Sequence, residues 1–388
     1  MENERTERRR RLLEIAAVFL KLGTLAFGGP AAHIAMMDEE IVKKRNWLSR
    51  EHFVDLLGAT NLIPGPNSTE LAIHLGLERG GIPGLFIAGA CFILPAMLIV
   101  MAVAAAYAKY GVLPQVGALL AGVKPVIIAI VALALIRLWK TAAKTSLAVA
   151  VVIAVAAASL LGAPEIPMLL ASSVFYTIWQ NRARIGRAAL LLNPIAMSAL
   201  PAAATATGAQ AGVGYGSLFL IFLKIGSVLY GSGYVLLAFL ESEFVQKLGV
   251  LTQRQLLDAV AVGQFTPGPV FTTATFIGYI IDGTPGAIAS TLGIFLPAFL
   301  LVLILNPIIP KLRSSPWVAG MLDGVNAASL GLMGAVTVKL AQASLDGAFT
   351  IAAFVLSFGV MYRYKLNSAV LILAGAAAGW ILHALGVV

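Results

Sequence analysis

Two Pro-Gly-Pro triplets carry the most specific chemistry in this sequence. Pro64-Gly65-Pro66 is followed by Asn67, Ser68 and Thr69, and Pro267-Gly268-Pro269 by Val270, Phe271, Thr272 and Thr273. Proline lacks an N–H and suits the first turn of a helix, so Pro66 and Pro269 predict helix starts, while Pro64 and Pro267 end the preceding segments. The leading N–H groups of such a helix have no intrahelical partner and form the positive end of its dipole. With Asn67 and the hydroxyls of Ser68, Thr69, Thr272 and Thr273 they make a cradle for an anion. Gly28-Gly29 before Pro30, and Gly231-Ser232-Gly233, could turn further N–H groups toward it, or serve close helix packing.

Charged residues inside apolar stretches are the second set. Lys21 lies ten residues after Arg11, about 15 Å along a helix, which puts it near the middle of a bilayer. Lys21 and Lys224 are read either as fixed positive charges for an anion, as halves of a gating ion pair, or as lysines paired structurally with a carbonyl or carboxylate. Asp55, Asp258, Glu70 and His74 are candidates for moving protons, Glu70 and His74 as i, i+4 neighbours on the restarted helix. Lys124, in a segment otherwise apolar from Val116 to Ile136, is a candidate gate or secondary anion site. Asp38-Glu39-Glu40 with Lys43-Lys44-Arg45 reads as a solvated, self-neutralising run.

The elements that must hold these residues are membrane helices. The 388 residues are 59% hydrophobic and 12% charged, against about 25% charged in soluble domains. Mean hydropathy is +0.91. At about 20 residues per crossing the length accommodates on the order of ten to thirteen helical spans. Stretches such as Leu85 to Ala108 and Leu147 to Leu161 are apolar without alternation, which excludes a β-barrel. The single cysteine, Cys91, supplies neither a disulfide framework nor a cysteine metal site, and no metal or cofactor is expected. The net charge of +9 is scattered among hydrophilic breaks, as loops of a membrane protein require and nucleic-acid binding does not. The charged N-terminus lacks a signal-peptide cleavage pattern and is expected to stay attached.

The chain also repeats itself. Phe19-Leu20-Lys21-Leu22-Gly23-Thr24 returns as Phe222-Leu223-Lys224-Ile225-Gly226-Ser227, an offset of 203 residues that also pairs Asp55 with Asp258, Asn61 with Gln264 and the two triplets. After one lost residue, Pro83-Gly84 faces Pro285-Gly286 and Leu94-Pro95 faces Leu296-Pro297. Glu70, His74 and Lys124 have no titratable counterpart, their matching positions being Thr273, Ile277 and Asn326. The organisation read from this is a basic segment 1–11, a first repeat 12–180, a linker 181–213 with room for one crossing, and a second repeat 214–388. The first repeat is expected to begin with one helix over 12–35, then a segment 52–77 broken at its triplet, then four further helices to 180. Arg137, Lys140 and Lys144 crowd one loop of the first repeat, whereas Lys311, Arg313, Arg363 and Lys365 crowd non-equivalent loops of the second. Basic loops favour the cytoplasm, so the halves are expected to be oppositely oriented. The fold class is an all-α polytopic membrane protein, an inverted-topology repeat with broken membrane helices.

The run from Phe19 to Pro30, Trp47-Leu48, the stretch Asn61 to Ser68, and the second-half runs Lys224 to Gly233 and Gln264 to Pro269 together resemble the chromate transporter family in its long, two-domain form. The resemblance covers almost the whole chain. It implies a bacterial inner-membrane carrier that expels chromate, a sulfate-like dianion, with secondary energy coupling, most simply to the proton gradient. Asn61 and Asn67 depart from the family pattern, in which a glutamine and a small residue are expected, and this puts the selectivity of the first cradle in question. A passive anion channel, or an uptake carrier for sulfate or another oxyanion, uses the same features and stays open. An intramembrane enzyme is disfavoured, since the sequence carries no His-Glu-x-x-His and no Gly-x-Ser-Gly. The expected partners are a small oxyanion and lipid, with a homodimer as an open option for the assembly.

Overall fold

The computed structural model describes residues 2–111, 113–182, 213–230, 233, 235–309, 312, 315–364, 366 and 368–385. Residues 183–212 of the linker, Gly231, Ser232, Lys311, Arg313 and Lys365 lie outside the described residues. Every regular element among the described residues is helical.

α1 (Glu2–Leu25) is densely charged through Arg11 and apolar beyond it apart from Glu14 and Lys21. It stops where Gly28 and Gly29 take φ of 106° and 77°, and α2 (Pro30–Met37) restarts with Pro30 in its first turn. The single helix expected over 12–35 is therefore two. α2 runs into a π-helical turn, Asp38–Lys44. α3 (Arg50–Thr60) is capped by the Ser49 hydroxyl, which accepts from the His52 N–H. After the first triplet comes α4 (Asn67–Tyr110), followed by α5 (Pro114–Ala142), α6 (Ser146–Leu160) and α7 (Glu165–Gln180).

The later part runs in the same order. α8 (Tyr215–Val228), α9 (Leu236–Leu240) and a second π-helical turn, Glu241–Lys247, lead to α10 (Gln253–Phe265). A 3-10 turn, Val270–Thr272, opens α11 (Thr273–Leu305), and α12 (Pro316–Ser344), α13 (Ala348–Tyr364) and α14 (Ser368–Ala384) complete the chain.

α4 and α11 are not straight rods. Gly81 leaves helical geometry at φ 65°, and Asp282-Gly283 does so in α11. A Cβ placed on Gly76 would collide with the carbonyl of Gly84, and one on Gly278 with that of Gly286. Residues eight apart in a continuous helix are about 12 Å distant, so each chain folds back sharply and its two arms meet through paired glycines.

Packing interleaves the chain. α1 lies along α4 and α8 along α11, and α4 and α11 meet each other. α12 packs on α6 and α7 from the first part, while α5 packs on α13 and α14 from the second. Among the described residues four helices, Asn67–Tyr110, Gln115–Ala142, Val270–Leu305 and Pro316–Ser344, are long and apolar enough to cross a membrane, and four shorter apolar helices accompany them. Large side chains such as Leu98, Ile153, Leu292 and Leu356 are half or more exposed. Such an apolar exterior is stable against lipid, and the chain is a multi-pass membrane protein.

Candidate functional site: a cavity between two helix breaks

Both triplets form sharp turns for the same reason. Gly65 sits at φ 141° and Gly268 at 84°, a region that strains any residue with a Cβ, and each glycine offers its N–H to the opposite part of the chain. The Gly65 N–H donates to the Leu229 carbonyl at 2.7 Å, and the Gly268 N–H donates to the Ala26 carbonyl at 3.0 Å. Leu229 and Ala26 are the residues where α8 and α1 come to an end. Each break is thus tied to the end of the other part's first helix, and the two restarted helices are brought face to face.

Between them lies a cavity of about 460 Å³, within the range of small-ligand sites. Pro66, Asn67 and Ser68 line it from the first break, Val270 and Phe271 from the second. Thr141, Asn326 and Ser329 add polar groups from α5 and α12. The N–H groups of Thr69 and Glu70 already bond to the Pro66 carbonyl, and that of Thr272 to the Pro269 carbonyl. The N–H groups of Asn67, Ser68, Val270 and Phe271 therefore stand ahead of their helical ladders, where an anion is favoured. The Asn67 side-chain amide donates to the Asn61 side-chain Oδ1 at 2.8 Å, and Asn61 also lines the cavity. These are the two positions noted above as departures from the family pattern, and they are hydrogen-bonded partners.

The model for the family described as chromate transporter matches residues 13–209 and 216–380. The chain belongs to the chromate transporter family. It is 34% identical to the chromate transport protein of Pseudomonas aeruginosa over 95% of this chain and 92% of that one. It is 31% identical to the chromate transport protein of Cupriavidus metallidurans over 94% of this chain and 92% of the relative. An uncharacterized transporter of Methanocaldococcus jannaschii is 28% identical over 95% of this chain. No solved structure matches the chain.

Against this family frame, the residues singled out from sequence divide sharply. Asn67, Ser68 and Pro66 line the cavity, Pro269 immediately precedes the lining residues Val270 and Phe271, and Gly28-Gly29 form the turn into Pro30, itself part of the lining. Gly231 and Ser232 are not described, while their neighbour Gly233 lines the cavity. Thr272 and Thr273 do not reach it: their hydroxyls donate to the carbonyls of Pro269 and Val270. Thr69 is fully buried and its hydroxyl has no partner.

The lysines are not in the lining at all. Lys21 donates to Glu40 at 2.8 Å and Lys224 to Glu243 at 2.7 Å, with both lysines partly exposed. Glu40 also holds Lys44 and Arg45, and Glu243 also holds Lys247. The acidic run is thus not simply solvated: the π-helical turn carries Glu40 inward, where it is 5% exposed. Both lysines are thus paired with carboxylates, as the structural reading and the gating-ion-pair reading each require. Lys124 is engaged too, its ammonium 3.7 Å from Asp258, whose other oxygen accepts from the Tyr107 hydroxyl at 2.8 Å. Asp55 is exposed on α3, so the two matched aspartates occupy unlike surroundings.

Glu70 and His74 stand apart. Glu70 is fully buried with neither carboxylate oxygen hydrogen-bonded, and it abuts Gly65 in the break itself. His74, also fully buried, has no hydrogen-bonded nitrogen, with Asn306 close by but out of hydrogen-bond geometry. Sequence reasoning missed Thr141, Ser329 and His33, and used Asn326 only as the counterpart of Lys124. The buried His33 lies 3.2 Å from the Ser68 hydroxyl and 3.1 Å from the Ala26 carbonyl. A lone histidine in an apolar run gave no signal. Among the described residues no group of three His, Cys, Asp or Glu converges as a metal site would need.

Proposed function

We propose that this protein is a secondary carrier that exports chromate from a bacterial cytoplasm across the inner membrane, coupled to the proton gradient, with sulfate as a competing dianion. The observation that carries the reading is the cavity flanked by both helix breaks. A tetrahedral dianion needs several N–H and hydroxyl donors in a water-poor pocket, and the free first-turn N–H groups with Asn67, Ser68 and Ser329 supply them. Chromate and sulfate share charge and shape, so such donors discriminate weakly between them. The two homologous halves are taken as an inverted-topology repeat, which would place the cavity near the bilayer midplane and allow access from either side. Glu70 and His74 are the proposed proton-coupling groups, because Asp258 is held by Lys124 and Tyr107 while Asp55 is exposed. An unpaired buried carboxylate is costly when charged, and a proton removes that cost.

The test is transport by the purified chain in proteoliposomes, with chromate, sulfate and molybdate offered with and without a pH gradient. Chromate flux that falls when the pH gradient is collapsed at a fixed anion gradient supports the carrier. Flux that follows the anion gradient alone means a channel.

A further inference from the structure

His33 links the first break to the carbonyl that holds the second, through two hydrogen bonds. Its Nε2 faces the Ala26 carbonyl at 3.1 Å, and that same oxygen accepts the Gly268 N–H of the second break. Its Nδ1 faces the Ser68 hydroxyl at 3.2 Å, in the lining of the cavity. The imidazole is 1% exposed and packed edge-on against Phe92.

These partners fix the proton positions. A carbonyl oxygen only accepts, so Nε2 carries a hydrogen in either charge state. In the neutral ring Nδ1 is then a bare acceptor, and Ser68 must donate its only hydrogen to it, leaving lone pairs toward the cavity. In the imidazolium Nδ1–H donates instead; Ser68 accepts, and its own hydrogen is released to turn toward the cavity. One proton at His33 thus converts Ser68 from a group that repels a dianion into one that binds it.

We infer that His33 is a positioning residue that makes oxyanion binding and proton uptake mutually reinforcing, by setting the direction of the Ser68 hydroxyl. The inference rests on the reading of the cavity as the oxyanion site. By linkage, whatever a proton adds to anion affinity the anion returns to proton affinity. The other titratable or charged groups on the packed elements are the charged run through Arg11, Glu14 and Lys21 on α1; Glu70, His74, Glu78, Arg79, Cys91, Tyr107, Lys109 and Tyr110 on α4; and Asp38, Glu39, Glu40, Lys43 and Lys44 of the π-helical turn. Lys21 and Glu40 are paired with each other, and Glu70 faces Gly65. His33 alone among these contacts a cavity hydroxyl. A proton carried out with the dianion lowers the exported negative charge from two to one; the inside-negative potential still drives that export, while an outside-acid pH gradient opposes it.

The test is chromate binding to the full chain in nanodiscs from pH 5.5 to 8.5, with proton uptake on binding followed by an indicator dye. Chromate itself titrates in this range, so the readout is the difference between parent and variant. His33→Gln keeps a donor for Ala26 without a titratable ring. It should bind chromate as the parent does at high pH, and should remove up to about one decade per pH unit of the parent's weakening, together with its extra proton uptake. Ser68→Ala, which leaves the His33–Ala26 bond in place, should lower affinity chiefly at low pH. A His33→Gln protein whose pH profile and proton uptake match the parent overturns the inference alone. So does a Ser68→Ala protein with unchanged affinity at every pH. A folded parent that binds no oxyanion overturns the reading of the cavity and the inference with it.

Discussion

At the first break, Glu70 and His74 are fully buried without hydrogen-bond partners; at the second, Thr273 and Ile277 occupy the matching turns, and the Thr273 hydroxyl is satisfied by the Val270 carbonyl of its own turn. Around this difference much else is shared. Each triplet glycine donates across to the end of the opposite first helix, and each π-helical turn supplies a glutamate to a lysine of its own part's first helix, Glu40 to Lys21 on α1 and Glu243 to Lys224 on α8. The backbone geometry of the break is therefore present twice, whereas Glu70 and His74, ionisable side chains with no hydrogen-bonded polar atom at all, stand beside the first alone. Unsatisfied buried groups are expensive, and their confinement to one break separates two tasks. On the proposed function, the duplicated turns build the cavity and the first break alone carries the proton-coupling groups beside it.

The largest effect should come from removing that asymmetry. Glu70→Gln keeps size and polarity but holds no exchangeable proton, and it should reduce gradient-driven chromate flux by about 10- to 100-fold while chromate exchange at equal pH persists. Thr273→Val at the second break should leave both within about twofold, because that hydroxyl serves only its own turn. Measuring gradient-driven flux and exchange in the same proteoliposomes separates the two. Equal losses at both breaks, or a Glu70→Gln protein that still follows the pH gradient, would break the comparison.

A smaller effect probes what the breaks share. Pro66→Ala and Pro269→Ala each add an N–H and permit the helix to extend backwards through the turn, drawing leading donors out of the cavity. Both should lower chromate affinity, by about tenfold for the loss of one charge-assisted contact. The Pro66 variant should suffer more, since Asn67 and Ser68 point polar groups into the cavity where Val270 and Phe271 point none. Parent-like affinity in either variant, at parent-like expression, would remove that helix start from the site.

The parts legible in the sequence are those in which local chemistry decides. Pro-Gly-Pro stops and restarts a helix whatever surrounds it, so both breaks and the lining residues Asn67 and Ser68 could be read directly. The apolar runs gave α5, α6 and α7 nearly to their ends. What the sequence does not show depends on partners distant in sequence or on hidden backbone geometry. Glu40 looked solvated among three acids and three bases, and only the π-helical turn reveals that it faces Lys21. Thr272 and Thr273 looked like ligands because their sequence does not show that their own turn's carbonyls take the hydroxyls. His33 has as partners a backbone carbonyl and a serine 35 residues away, neither of which leaves a mark in composition or spacing.

The smallest effect is expected at the lysines, and it sharpens the comparison by testing whether charge belongs to the cavity at all. Lys21→Met and Lys224→Met keep an apolar stem while removing the ammonium. Neither lysine lines the cavity, so chromate affinity should stay within about twofold. Stability should fall by about 1 kcal/mol or less, as for other partly exposed ion pairs. The two variants should not be equal. Glu40 keeps Lys44 and Arg45 when Lys21 is lost, but Glu243 keeps only Lys247 when Lys224 is lost, so Lys224→Met should melt at the lower temperature. Chromate titration and thermal unfolding of both proteins check this. A tenfold loss of affinity in either, with unchanged melting, would mean that a lysine reaches the anion during transport and that the dianion is not held by N–H groups and hydroxyls alone.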